Sequence, residues 1–447
     1  MGFTYLTAIL ALVCRFDVLR QIQKNFENTS RRLISARYPL VVTLTGSLTY
    51  QLILLQQRQP GVALLQKALL TTDLANTYAA LSVFESALLL ATFMAFRTST
   101  SVFWDRIVIA AGFTSMSAIC LHYTNTTGDV IAYVGFAMRS HPYISEYIRF
   151  PGEYHIINKI WLYPMIPSPY GPLWIAISHI LVAPVAGLQK RIAVFQIIEA
   201  IALATLAIGI LRKTKSTGLA ALIALNPFLL QTYVAEGHND LAAATLAFVG
   251  SIVISAPLAI MLVILAGCVK ATFFGIGMAA FVRFRTRTRA TAVVTTLIGA
   301  AASIAWAGPH YIPAIREATR LYAHPLPPGD VVLHGIIAVI ATLLVAYGLV
   351  AGRIPQGGAW TMIAFGQYPL ANYLAWGLPY AYASDTIATF LVTMPYAGFE
   401  MTNIFVDTTI STWLRISTVV IMIALTYATI REHRKRPINP GAANART

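Results

Sequence analysis

Charged residues are scarce in this 447-residue chain: Asp, Glu, Lys and Arg make up only 11% of it, and its mean hydropathy is +0.67. A soluble domain carries roughly 25% charged residues, so the deficit excludes an ordinary soluble protein and indicates lipid as the solvent. About eleven or twelve apolar stretches approach the ~20 residues that a membrane-spanning helix requires. They lie near 39–56, 79–96, 107–123, 173–188, 192–211, 217–234, 239–254, 256–282, 290–308, 331–350, 359–381 and 410–430.

Cysteine is equally sparse. Cys14, Cys120 and Cys268 each lie inside an apolar run and form no CxxC pair, which excludes a disulfide framework or a zinc site and favours core packing. No glycine-rich nucleotide loop is present either. The net charge of +15 favours contact with membrane lipids, because cationic loops orient membrane proteins beside anionic lipid. We therefore expect no nucleic-acid partner.

Basic clusters orient the predicted helices. The segments 31–37, 97–106, 283–289 and 431–436 are rich in arginine and should face the cytoplasm. Alternation then places two longer loops, 124–170 and 309–330, on the extracytoplasmic side.

The same count places 212-RKTK-215 outside, against the rule, and 236-EGHND-240 inside. Either the region 217–254 is broken at Asn226-Pro227 or the alternation fails there, so its depth stays open. An N-terminal apolar segment, 3–14, lacks the features of a cleaved signal, and we keep it in the mature chain as an interfacial segment.

Acidic residues number only 17, so a carboxylate at a predicted membrane edge is informative. Asp129 follows the apolar run 107–123 and opens the stretch 130–138, whose apolar residues could lie in the interface plane. A base at that height meets an acceptor from water and a lipid-anchored donor. The alternative is that Asp129 only caps the helix that begins at Val130.

Aromatic residues and prolines cluster in the same loop, in 141-HPY-143 and 167-PSPYGPLW-174. Their rings could stack on sugars or form an aromatic belt at the membrane interface. Both readings stay open for Tyr143, Tyr163, Tyr170 and Trp174.

The order of these elements resembles that of a known family. Asp129 with Tyr133 comes first, and the remaining elements are 141-HPY-143, 169-PYGPLW-174, 225-LNPFLL-230, 236-EGHND-240, 268-CVKATFF-274 and 373-YLAWGLP-379. Together they resemble polyprenol-phosphate-sugar-dependent glycosyltransferases of the GT-C fold, in the prokaryotic mannosyltransferase branch. The resemblance covers about residues 105–385.

This resemblance implies an all-α polytopic membrane protein of about 11–13 helices with a GT-C-type bundle. Its catalytic core would span 105–385, between N-terminal helices in 1–104 and C-terminal helices in 386–436, with a disordered tail, 437–447. The departures from the family are the helices before 105 and the compact length of the chain. The active site would lie on the extracytoplasmic face of the plasma membrane.

The resemblance also implies roles for single residues. Asp129 would be the catalytic base for an inverting transfer of a sugar, with mannose expected, from a polyprenyl monophosphate to a glycolipid or glycan acceptor. Substrate-binding residues would be Tyr133, His141, Tyr143, Tyr170, Trp174, His238, Asp240 and Trp376.

The leaving phosphate needs cationic partners. Candidates are Lys270, Arg149, Lys159, His310, Arg316, Arg320 and His324. Arg316 and Arg320, four residues apart, would equally suit a solvated helix face. Lys270 stands in the middle of the apolar run 256–276, where an ionisable group faces a cavity or a partner, so a phosphate contact or a pair with Glu199 or Glu236 is open.

His238 and Asp240 are potential metal ligands, but two candidates without a third make a poor site. We predict no metal site and no cofactor, since the lipid-phosphate sugar is a substrate, and leave a divalent ion open. The rival functions are a lipid-glycan flippase, which predicts paired charges within spans and an internal repeat, and a ligase with a lipid-diphosphate donor, which predicts a dense arginine cluster outside.

Overall fold

The computed structural model describes residues 37–56, 102–122, 129–144, 167–271, 273–277 and 284–322, with shorter pieces of 81–97, 149–157 and 280–281. This part of the chain is helical and contains no strand, which confirms the prediction of an all-α membrane protein. The predicted segments 3–14, 331–350, 359–381, 386–436 and 437–447 lie outside the described residues.

Eleven helices carry the labels used below. They are α1 (Arg37–Gln56), α2 (Val102–His122), α3 (Asp129–Ala137), α4 (Pro172–Ile177), α5 (Leu188–Thr214), α6 (Thr217–Ala224), α7 (Asp240–Ile252), α8 (Ala256–Val269), α9 (Phe273–Gly277), α10 (Thr286–Ala307) and α11 (Tyr311–Tyr322). A π-helix, Ser178–Val182, continues α4, and a second, Leu230–Ala235, follows a helical turn at Pro227–Leu229. By length and apolar composition, Val102–His122, Leu188–Lys213 and Arg287–Ala307 could each cross a membrane.

Helix α2 connects the N-terminal helix α1 to the rest of the bundle. Arg37, the first residue of α1, pairs with Asp105 in the first turn of α2, with Nη1 and Oδ1 2.6 Å apart and both side chains buried. Arg37 Nε also donates to the carbonyl of Ala95. Further along, a Cβ on Gly112 would lie 2.5 Å from Val41 Cγ1, so the two helices are in close contact. The proposed domain boundary at 104 stays a prediction.

The cationic segment 212–215 lies at the same end of the bundle as Arg37 and Arg97. Thr217 Oγ1 donates to the carbonyl of Phe96 at 2.9 Å, and Gly218 packs against the backbone of Arg97. The alternation that placed 212–215 at the opposite end is therefore wrong. We call this end, with exposed Arg97, Arg106, Arg212, Lys215 and Arg285, the basic end.

The wrong count of membrane crossings comes from the apolar run 173–188. Its helix, Pro172–Val182, is short, and at ~1.5 Å per residue it reaches only about 16 Å of the ~30 Å core of a bilayer. The chain then turns directly into α5, where Arg191 donates to the carbonyls of Ala183 and Val185. The run therefore adds no crossing, and 236–240 lies at the end opposite the basic end.

The predicted break at Asn226-Pro227 is also present. Helix α6 ends at Ala224, and helical structure resumes at Pro227. Proline has no N–H to donate to the preceding turn, and the Asn226 Oδ1 accepts from the backbone N–H of Leu229 at 3.4 Å. The run 217–234 is thus two helical pieces, the second of which ends as a π-helix beside the candidate site.

Cys120 and Cys268 are buried free thiols, which confirms core packing for both. Cys14 lies outside the described residues.

Gly171 marks the closest backbone approach near the candidate site. Its N–H donates to the carbonyl of Val269 at 2.9 Å, and a Cβ would lie 2.0 Å from the carbonyl oxygen of Cys268. We expect Gly171→Ala to lower the free energy of unfolding by about 1–3 kcal/mol or more, because a backbone must move. The measurement is unfolding in detergent with Gly46→Ala as control, since a Cβ on Gly46 meets nothing within 4 Å. Equal stability of the two variants would contradict this.

Candidate active site at the end opposite the basic end

Asp129 is the first residue of α3, and every residue from Val130 to Ala137 is buried. An interfacial helix would leave its apolar face to lipid. The expectation that 130–138 lies in the interface plane is therefore wrong, because α3 is enclosed by protein on all sides. The Asp129 side chain itself keeps 29% of its surface exposed.

A histidine lies between two carboxylates at this end. His238 Nδ1 is 3.3 Å from Asp129 Oδ2, and His238 Nε2 is 3.4 Å from Glu236 Oε2. The side chains of His238 and Glu236 are each only 11% exposed. Asp129 and His238 are both candidate site residues from the sequence, but only the fold brings them together.

His238 is an imidazolium at neutral pH. Burial by itself lowers its pKa, but the hydrogen bond to Glu236 and the negative charges of Asp129, Glu236 and Asp240 outweigh it and raise the pKa to about 9. Both ring nitrogens then carry a proton, as the two carboxylate contacts require. The result is a fixed positive charge 3.3 Å from the carboxylate of Asp129.

The raised pKa of His238 makes stability depend on pH. The stabilisation should be fully present below pH 6.5, the ordinary pKa of histidine, and should be lost as the pH rises through about 9. Wild type and His238→Gln should therefore differ most in unfolding temperature at low pH and converge above pH 9. His155→Gln, which alters an exposed histidine, serves as control. A difference between wild type and His238→Gln that does not change with pH would contradict the assignment.

Lys270 does not lie in the middle of a helix. Helix α8 ends at Val269, and Lys270 has an extended backbone with φ −144° and ψ 119°. Its ammonium pairs with Asp240, the first residue of α7, and not with Glu199 or Glu236. Glu199 Oε2 instead accepts from the backbone N–H of Ala242 at 3.0 Å. The expectation of a mid-span lysine is wrong, because the chain leaves the helix one residue earlier.

Three aromatic rings pack around Tyr133 of α3 within the core. The ring centroid of Tyr133 lies 4.7 Å from that of Tyr170, 5.6 Å from that of Trp174 and 5.5 Å from that of Phe195. Tyr133 and Trp174 are 1% exposed and Tyr170 is 6% exposed. These rings therefore hold α3 in place and offer no open face to a sugar. Tyr163 lies outside the described residues.

The two predicted extracytoplasmic loops meet. The rings of Tyr143 and Tyr311 lie 5.0 Å apart, and Tyr143 Oη donates to the carbonyl of Tyr170 at 3.1 Å. Residues 311–322 form α11, so much of the predicted second loop is helical. His141, Arg149, His310 and Arg316 are exposed. Arg320 is described only as part of the α11 backbone, and Lys159, His324 and Trp376 lie outside the described residues.

Two partners of this cluster, Asn239 and Gln196, are not predictable from the sequence. Asn239 Oδ1 accepts from Tyr133 Oη at 3.3 Å, and Gln196 Nε2 donates to the carbonyl of Ala235, the residue before Glu236. From the sequence, Glu236 is a candidate partner of Lys270 and part of the element 236-EGHND-240. The segment 236-EGHND-240 contains both Glu236 and His238, but their contact depends on a turn at Gly237, where φ is +64°. In the part of the chain that the structure describes, no three His, Cys, Asp or Glu side chains form a metal site.

Fold and site together define an all-helical membrane protein with a carboxylate–imidazolium cluster at one end of its helices. Residues 126–287 match the family profile described as alpha-(1->6)-mannopyranosyltransferase, N-terminal domain. The matched segment is little more than a third of the chain and contains Asp129, His238 and Lys270. It confirms the resemblance to the prokaryotic mannosyltransferase branch and supports a glycosyltransferase that handles mannose. No curated protein and no solved structure matches this chain.

Proposed function

We propose that this protein is an inverting, multi-pass mannosyltransferase of the plasma membrane. It transfers mannose from a polyprenyl monophosphate to a glycolipid or glycan acceptor at the extracytoplasmic face. The observation that carries this is the partly exposed Asp129 carboxylate, fixed by His238 within the segment that matches the mannosyltransferase profile.

Asp129 is the base in this scheme. Its Oδ2 is engaged by His238, and we assign Oδ1 to the acceptor hydroxyl. The hydroxyl gives its proton to Asp129 as its oxygen attacks the anomeric carbon, and the bond from that carbon to the phosphate oxygen breaks. The electron pair of that bond leaves with the phosphate. One displacement inverts the anomeric centre, so a β-linked donor gives an α-mannoside.

The donor phosphate needs a cation that is not already neutralised. Lys270 is paired with Asp240, which makes it a weaker candidate than the sequence implied. Arg149, His310 and Arg316 are exposed, and the contact of Tyr311 with Tyr143 brings the start of α11 to the candidate site. We propose that the donor phosphate is bound at the start of α11, beside the candidate site. Contacts from Lys159, Arg320, His324 and Trp376 remain part of the proposal.

Charge supports the proposed orientation. Exposed Arg97, Arg106, Arg212, Lys215 and Arg285 share the basic end, and cationic ends of membrane helices face the cytoplasm. Asp129 and His238 lie at the opposite end, where a donor on a polyprenyl carrier and an acceptor outside the cell would meet.

Buried ion pairs do not favour the flippase. Arg37 with Asp105 and Lys270 with Asp240 are buried or nearly so, but all four residues lie at or beside helix ends. A transport path lined by paired charges would place such pairs along the middle of the spans, and neither of these two pairs lies there.

The test uses the purified full-length protein with a labelled polyprenyl phosphate mannose and a glycolipid acceptor. An α-mannoside formed from a β-linked donor supports the proposal. Movement of the intact lipid across a vesicle bilayer without a new glycosidic bond would favour the flippase. Transfer from a lipid diphosphate in preference to the monophosphate would favour the ligase.

A further inference from the structure

Two side chains of α5 contact the chain on either side of the segment 236–239. Gln196 is completely buried, and its Nε2 donates to the carbonyl of Ala235 at 2.7 Å and to that of Cys120 at 3.3 Å. Ala235 is the last residue of the π-helix, and carbonyls at a helix end lack partners within the helix. Gln196 therefore ties this helix end to α2 and α5.

Glu199 lies one turn further along α5 and acts on the other side of the segment. It is completely buried, and its Oε2 accepts from the backbone N–H of Ala242 in the first turn of α7. The first N–H groups of a helix also lack partners within it. Helix α5 thus supplies a donor to the helix end that precedes 236–239 and an acceptor to the helix start that follows it.

The segment held in this way is in tight contact with α3 and α5. Gly237 has φ +64°, and a Cβ there would lie 2.8 Å from Val130 Cγ2 and 3.5 Å from Phe195 Cβ. Val130 follows Asp129, and Phe195 precedes Gln196. A shift of this segment would therefore change the 3.3 Å separation between His238 and Asp129.

We propose that Gln196 and Glu199 are positioning residues, which set the distance between His238 and Asp129 by fixing both ends of the segment 236–239. Neither touches a substrate in this scheme. The inference rests on the proposed function only for the expected change in transfer rate. The expected effect on the distance between His238 and Asp129 does not depend on the proposed function.

The experiment measures the titration of His238 in the full-length protein by NMR of ¹³C-labelled histidine. The His238 signal is identified by its loss in His238→Gln. The charged groups that face His238 are Asp129 on α3, Glu236 beside it and Asp240 on α7. The variants are Gln196→Met, Glu199→Leu and the conservative Glu199→Gln. Thr245→Val is the matched control, since it removes another buried bond between α7 and α5, to the carbonyl of Ala202.

In Gln196→Met and Glu199→Leu we expect the midpoint of His238 to fall by about one pH unit or more, because an imidazolium that moves away from carboxylates loses its stabilisation. Glu199→Gln keeps an acceptor and should restore the wild-type midpoint. In a transfer assay the same two variants should lose about 10-fold in kcat with KM unchanged. Thr245→Val should change neither quantity. If Gln196→Met does not fold, Gln196→Asn replaces it.

Midpoints in Gln196→Met and Glu199→Leu that equal the midpoint of Thr245→Val would overturn the inference. Shifted His238 midpoints in Gln196→Met and Glu199→Leu, together with a wild type that transfers no mannose, would uphold this inference and refute only the proposed function. A wild type that transfers mannose, together with unshifted His238 midpoints and unchanged kcat in both variants, would refute this inference but not the proposed function.

Discussion

Replacing Asp129 by asparagine is expected to reduce mannosyl transfer by at least about 100-fold, because a positioned general base contributes about 10²–10⁴-fold to a rate. Asparagine keeps the shape of the side chain but cannot accept the proton of the acceptor hydroxyl. The fall should be in kcat, measured with labelled polyprenyl phosphate mannose at saturating acceptor.

The control for this prediction is Glu153→Gln, which neutralises an exposed carboxylate in the same predicted loop. It should transfer mannose at the wild-type rate. Thermal unfolding of Asp129→Asn, measured in parallel, separates loss of the base from loss of the fold. Transfer at full rate by Asp129→Asn would remove Asp129 as the base and with it the central element of the proposed mechanism.

Breaking the pair between Lys270 and Asp240 should strongly lower the stability of the fold. Lys270→Met leaves the Asp240 carboxylate, only 5% exposed, without its cation. Removing one partner of a buried pair costs about 3–5 kcal/mol, because the remaining charge stays buried and unpaired. The free energy of unfolding is measured in detergent by titration with a denaturant.

The double variant Lys270→Met with Asp240→Asn should recover most of this loss, since neither member of the pair is then left charged without the other. Lys190→Met, which removes an exposed lysine near the start of α5, should change the free energy of unfolding by less than about 0.5 kcal/mol. If the double variant is no more stable than Lys270→Met alone, the two side chains do not act as a pair.

Much of the fold follows from local physics. A chain with 11% charged residues and long apolar runs has to place helices in lipid. The break at Asn226-Pro227 was predictable as well, because proline acts on its own turn. The crossing count failed at 173–188, because apolar composition does not distinguish a short helix that ends within the bundle from one that crosses the bilayer.

The candidate site, like the fold, was only partly predictable from the sequence. Asp129 and His238 could be singled out as acidic and basic groups beside apolar runs, and their order along the chain pointed to a mannosyltransferase. Their contact could not be predicted, nor could the choice of Asp240 over Glu199 and Glu236 as the partner of Lys270. Those contacts join residues distant along the chain, which no local pattern relates.

The amino-acid sequence by itself therefore determined the solvent of this protein, its all-helical class and the residue types available for catalysis. The tertiary structure decided which charges pair, which aromatic rings are buried and which end of the helices holds the segment 212–215. The reason is physical: helix formation and lipid burial depend on nearby residues, whereas an ion pair such as Asp129 with His238 exists only where packing brings α3 against the start of α7.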